Sequence, residues 1–169
     1  MNIAITDACI FIDIYELDLT NIFFSLNMNV HTSVDVFNEL YLTQQYSLQL
    51  FIKEGRLMLH SLDANDRLII QAEGYPRSLS ENDKTVLHLA GKLGAMVLSS
   101  DASVRKYAKK KAVEYHGMLW IFDKLVSADL ITKNVAAEKL QKLVSTNIIY
   151  QNNAELVKEM AKRIDNWKI

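Results

Sequence analysis

Residues 79–101 read LSENDKTVLHLAGKLGAMVLSSD, and this stretch decides the fold class. Ser80 is placed to cap a helix. Val86, Leu87, Ala90 and Leu93 then share one face, so the spacing predicts a helix over Ser80 to Leu93. Directly afterwards Ala95 to Leu98 is apolar at every position, as a strand buried on both faces is. That run ends on Ser99-Ser100-Asp101, and a second helical stretch, Ser103 to Lys111, follows. Helix, buried strand, helix is the repeating unit of a parallel sheet covered on both sides.

The same alternation extends outward in both directions. Strands are predicted over Asn2 to Thr6, Asn29 to Thr32, Leu57 to Leu62 and Val113 to His116, each short and rich in apolar residues. Helices are predicted over Met118 to Ser127, Val135 to Val144 and Ala154 to Ile164, the last with Leu156, Met160 and Ile164 in one stripe. Right-handed crossovers place helices on the two sides of the sheet. The expected architecture is a three-layer α/β/α sandwich around a central parallel sheet of about five strands. With 169 residues, one proline and five glycines, no linker interrupts the chain. One domain is expected over residues 1–169, with C-terminal helices from about residue 118 onward packed on it.

Composition narrows the function classes. Half the residues are apolar and 23% are charged, the balance of an ordinary soluble globular protein. A net charge of -1 leaves no basic excess, so any contact with a polyanion must be a local patch. The lone cysteine, Cys9, rules out an intramolecular disulfide and fits a reducing compartment. The opening MNIAITDACIFIDIYE lacks a basic n-region, and Asp7 and Asp13 interrupt its apolar run. It reads as neither signal peptide nor membrane span, and the protein is expected to be cytoplasmic.

Ligands of an open parallel sheet bind outside the carboxyl ends of its strands. Asp7 directly follows the first strand, and Asp101 follows the fourth. Glu39 lies one to two helical turns beyond the second strand, and Asp83 sits in the first turn of the helix that Ser80 starts. All four therefore point to one edge. Gathered carboxylates raise one another's pKa, and a hard divalent cation is the simplest compensator. Oxygen ligands suit Mg²⁺ or Mn²⁺, which can activate water and steady the leaving oxygen in phosphodiester hydrolysis. Local readings stand beside this one. Ser80 and Asp83 form a capping box, and Asp101 is a natural N-cap. Glu39 taken alone would be a solvated helix residue.

The segments ITDACIFIDIYE, TSVDVFNEL, LSENDKTVLHLAGKLGAMVLSSD and VRKYAKKKAVEYHGMLWIFD together resemble the PIN domain. The likeness runs from the N-terminus to about residue 145. HGMLWIFDKLVSADLIT is similar to the part after the last strand in small single-domain bacterial and archaeal PIN proteins. The resemblance implies a metal-dependent endoribonuclease leaving a 5′-phosphate and a 3′-hydroxyl. Asp7, Glu39, Asp83 and Asp101 match its four acids, the catalytic residues and ligands of Mg²⁺ or Mn²⁺. Ser99 matches the Ser or Thr two places before the fourth acid. Ser100 departs from the pattern, since many relatives carry an acid or Asn there. Small bacterial members are often VapC-like toxins held by an antitoxin, and a homodimer is a further expectation. The rival reading is a catalytically weak or inactive PIN-like module that binds nucleic acid or protein. A phospho-acceptor domain fits less well, because Ala8 and Cys9 follow Asp7 where a second acid is usual.

Other residues carry less. Arg105, Lys106 and the lysines at 109–111 read either as a solvated helix face or as a patch that positions RNA by its phosphates. Lys84, beside Asp83, is a further candidate for substrate contact. His31, His60, His88 and His116 lie in separate elements without zinc spacing, and Cys9 reads as a buried free thiol. Asp35 reads as a solvated acid, and Trp120 and Phe122 as packing residues. Neither a GxSxG elbow nor a complete P-loop is present.

Overall fold

The computed structural model describes residues 2–168. Five strands form one parallel sheet: β1 (Asn2–Thr6), β2 (Met28–Ser33), β3 (Leu57–His60), β4 (Met96–Leu98) and β5 (Tyr115–His116). Their order is β3-β2-β1-β4-β5, so β1 lies at the centre with β2 and β4 beside it. Register pairs Ala4 with Val30 on one side and with Met96 on the other. Ala4, Ile5 and Thr6 are all buried, as are Met96, Val97 and Leu98. Successive strand residues point to opposite faces, so both faces of the sheet are covered. The expected three-layer α/β/α arrangement is the one observed.

Eleven helical segments occur among the described residues. In the first half they are α1 (Ala8–Glu16), α2 (Thr20–Phe23), α3 (Val34–Glu39), α4 (Leu42–Lys53) and α5 (Ala64–Ala72). In the second half they are α6 (Glu81–Leu93), α7 (Ala102–Lys110), α8 (Met118–Ser127), α9 (Lys133–Thr146), α10 (Ile148–Gln151) and α11 (Ala154–Trp167). Side chains placed to cap them do so: Asp7 for α1, Ser33 for α3, Ser80 for α6 and Asp101 for α7. Gly94 ends α6 in the left-handed region, φ +60, and turns the chain into β4. One buried cluster runs from Ala4 and Ile5 through Val86, Ile121 and Phe122 to Leu140, Tyr150 and Met160, joining the C-terminal helices to the sheet. No described helix is long and apolar enough to cross a membrane.

Three strands are shorter than the sequence predicts, β4 by one residue at its start and β3 and β5 by two. Val113 donates its N–H to Ala108 O, closing α7, so pairing in β5 begins only at Tyr115. β3 ends at His60, opposite Ser33, and Ser33 is already the cap of α3. Beyond it Ser61 and Leu62 have no neighbouring strand to pair with.

Candidate functional site

The chain leaves β1 for β2 on one side, while β4 lies on the other side of β1. The carboxyl ends of β1 and β4 therefore flank a topological switch point, the place where an open α/β sheet leaves a crevice. Asp7 stands on one lip and the Ser99-Ser100-Asp101 turn on the other. Asp7 N–H still donates to Leu98 O at 3.1 Å, so the two lips are tied by backbone.

Asp7 caps α1 and is only 3% exposed. Its Oδ1 accepts from Ile10 N at 3.1 Å and from Cys9 Sγ at 2.9 Å. None of the described ion pairs includes it. Burial pushes its carboxyl up to about 7, against the pull of hydrogen bonds from Cys9, Ser99 and Ile10. The charge of Asp83 adds to the rise.

Asp101 and Asp83 are held by local bonds, and Glu39 by one from another helix. Asp101 N–H donates to the buried Ser99 Oγ at 3.0 Å, and Asp101 Oδ1 accepts from Ser103 N at 2.8 Å and Val104 N at 3.0 Å. Asp83 Oδ2 accepts from Ser80 N at 2.9 Å, completing the capping box of α6. Glu39 Oε2 accepts from Asn82 Nδ2 at 2.7 Å, which brings the end of α3 to the first turn of α6. Ser33 and Thr85 join the same two helices through their hydroxyls at 2.7 Å. Each of the four carboxylates thus spends one oxygen on these bonds.

The structure brings the four acids to one edge but not into one coordination sphere. Among the described residues, no three His, Cys, Asp or Glu side chains converge closely enough to hold an ion. The local readings of Asp83 and Asp101 as caps are both realised. The donor chemistry nonetheless fits a hard divalent cation. The set is all oxygen, and Asp7 is a buried carboxylate without a cation beside it.

A family model for the PIN domain (DUF3368) matches residues 3–165. The chain belongs to the PIN domain family. No curated protein matches it significantly. Among solved structures, a PilT N-terminus domain protein from the hyperthermophilic archaeon Sulfolobus solfataricus P2 is similar. It shares 15% identity over 70% of this chain and 89% of its own, with a TM-score of 0.43. The PIN match continues beyond residue 145, where the sequence resemblance was expected to fade, and takes in most of α11. PIN domains generally include nucleases.

The basic residues of this PIN domain divide by partner. Arg105 donates from Nη1 to Ser99 O at 3.2 Å, and its guanidinium lies 5.1 Å from the Tyr115 ring centroid. A Cβ at Gly117 would stand 2.6 Å from Nη1, so a larger residue there would make the guanidinium shift. Among the described ion pairs Arg105 has no carboxylate, and Lys106 is exposed. Lys84 is engaged by Glu81 of its own helix, and Lys111 by Glu73. A cavity of about 540 Å³ opens beside Ser100, lined by Arg105, Tyr115, His116, Trp120 and Tyr150 among others.

Sequence reasoning misjudged or missed several contacts. Cys9 is half-buried rather than buried, and its thiol bonds Asp7. Asp35 pairs with Arg67 at 2.9 Å instead of standing free in solvent. His31 Nδ1 and His60 Nε2 meet at 2.9 Å, because register sets β2 and β3 side by side. Tyr150 OH reaches Asp13 Oδ2 at 2.8 Å and Ser100 Oγ at 2.7 Å, and no local pattern announces either bond.

Proposed function

We propose that this chain is a metal-dependent endoribonuclease that hydrolyses RNA phosphodiester bonds. Asp7, Glu39, Asp83 and Asp101 would hold Mg²⁺ or Mn²⁺. The observation that supports it best is Asp7. A carboxylate buried at the switch point without a cationic partner is costly unless something neutralises it. When bound, a divalent cation supplies water activation and charge neutralisation at the phosphate.

The chain's own residues do the positioning. Ile10 N–H and the Cys9 thiol fix the orientation of the Asp7 carboxylate, and Ser99 holds the backbone of Asp101. Arg105, held by Ser99 O and Tyr115, is set to bind a phosphate flanking the scissile one. Lys106 would add long-range attraction, and Lys84 less, being engaged by Glu81. The reading extends to a homodimer and to a toxin restrained by an antitoxin protein.

Cleavage of single-stranded RNA with Mn²⁺ is the test, comparing wild type with Asp7→Asn and Asp101→Asn. Each variant should fall by more than about 100-fold, since loss of outer partners alone costs 10–100-fold. Equal activity in all three proteins overturns the assignment. A second reading, a PIN-like binding module with little or no catalysis, is favoured by the lack of three converging acids among the described residues. Calorimetric titration separates the two: no Mn²⁺ binding by the intact protein favours the module.

A further inference from the structure

We infer that Tyr150 is a positioning residue for the Ser99–Asp101 turn, acting through Ser100 and anchored on Asp13. The inference rests on reading Asp7 and Asp101 as the acting acids. It makes the short helix α10, more than a hundred residues after β1, a working part of the switch-point edge.

The bonds define the direction of the relay. Tyr150 is 2% exposed and Asp13 is 5% exposed. A phenol has one hydrogen and a carboxylate only accepts, so Tyr150 donates to Asp13 Oδ2 at 2.8 Å. The Ser100 hydroxyl, 2.7 Å away, must then donate to the phenol oxygen. The second oxygen of Asp13 accepts from Asn147 Nδ2 at 3.1 Å, and Asn147 Oδ1 caps α10 through Ile149 N at 3.0 Å. One residue thus starts the helix that carries Tyr150 and holds the acid that orients it.

From Ser100 the contacts continue to both candidate acids. Ser100 N–H donates to Cys9 Sγ at 3.3 Å, and that thiol donates to Asp7 Oδ1 at 2.9 Å. Ser99, the preceding residue, accepts from Asp101 N at 3.0 Å. The turn is therefore fixed from its side chain by α10 and from its backbone by α1. A phenylalanine at 150 would fill the same volume but leave Asp13 Oδ2 and Ser100 Oγ without their partner. The hydroxyl is what distinguishes positioning from packing.

The test uses Tyr150→Phe, Ser100→Ala and the double variant. Hydrogen exchange at the amides of residues 99–101 is read on metal-free protein, and Mn²⁺ affinity by calorimetry. Each single variant should speed exchange and weaken Mn²⁺ binding by about tenfold, and the double variant should add nothing, as groups in one network behave. Wild-type exchange and affinity in Tyr150→Phe overturn the proposal, and so do fully additive effects, which make Tyr150 a packing residue alone. If wild type binds no Mn²⁺ and cleaves nothing, the nuclease reading falls. The exchange data on the same proteins then still support or overturn the relay. Should Tyr150→Phe not fold, Ser100→Ala with Asp13→Asn carries the comparison.

Discussion

At the scale of the single residue, Asp7 carries two demands that oppose each other. As the cap of α1 it stabilises the fold, but as a buried anion it destabilises it. In the unfolded chain it ionises near 3.8 and in the folded protein near about 7. Between those values the unfolded state holds fewer protons, so stability falls as pH rises and is level above the upper one. The difference corresponds to roughly 4 kcal/mol at full burial. Asn caps as well as Asp, so Asp7→Asn should be about 2–4 kcal/mol more stable than wild type at pH 8 and lack the slope. Urea unfolding across pH 4–8 checks this, and parallel curves for the two proteins would sink it. Added Mn²⁺ should close the gap by stabilising wild type alone. The placement of Asp7 was legible because an acid directly after an apolar strand has few other readings. Tyr150 and Asp13 were not, being 137 residues apart and joined only by packing.

At the scale of elements, legibility followed the sharpness of the pattern. α6 was predicted within one residue at its start because its cap, apolar face and terminus all agree. α1 went unassigned because Ile10, Phe11 and Ile14 bury it broadly, so no polar stripe alternates with the apolar one. α4 blurred the opposite way, with Leu42, Tyr46 and Leu50 exposed while Leu48 and Phe51 are buried. The tie between α5 and α6 is a polar one. Asp66 accepts from His88 Nε2 at 2.8 Å and Lys92 Nζ at 2.9 Å, and its second oxygen from Asp63 N at 3.1 Å. His88 first, then Lys92 and the Asp63 amide, hold its carboxyl well below the ordinary carboxylate range. A lowered folded value means that the contribution is present above 3.8 and lost as pH falls below it. Asp66→Asn should therefore flatten the acid limb of stability, compared by thermal melts between roughly pH 2 and 5. An unchanged acid limb would show that the α5–α6 tie does not depend on this charge.

At the scale of the whole molecule, the order β3-β2-β1-β4-β5 brings residues 7 and 101 to the two lips of one crevice. The strand order was not written in any one segment, although the alternation of strands and helices made the sheet parallel. The acids' common edge followed from that alone, whereas the turning of Asp83 and Asp101 onto separate caps depended on bonds a few residues long. The same topology leaves several large apolar side chains facing outward, among them a row on α4. Leu42, Tyr46 and Leu50 recur every four residues along α4 and are 65%, 63% and 56% exposed, with Tyr41 beside them at 78%. Such a row contributes little to the core, so its replacement should not unfold the chain. As the proposed homodimer's contact face it would be sensitive to charge, because a carboxylate on each copy would be desolvated against an apolar partner. Sedimentation of wild type should give a dimer, and Leu42→Glu with Tyr46→Glu should give a monomer with the melting temperature of the isolated fold. A wild type that sediments as a monomer removes the homodimer. A double variant that remains dimeric moves the contact to another face.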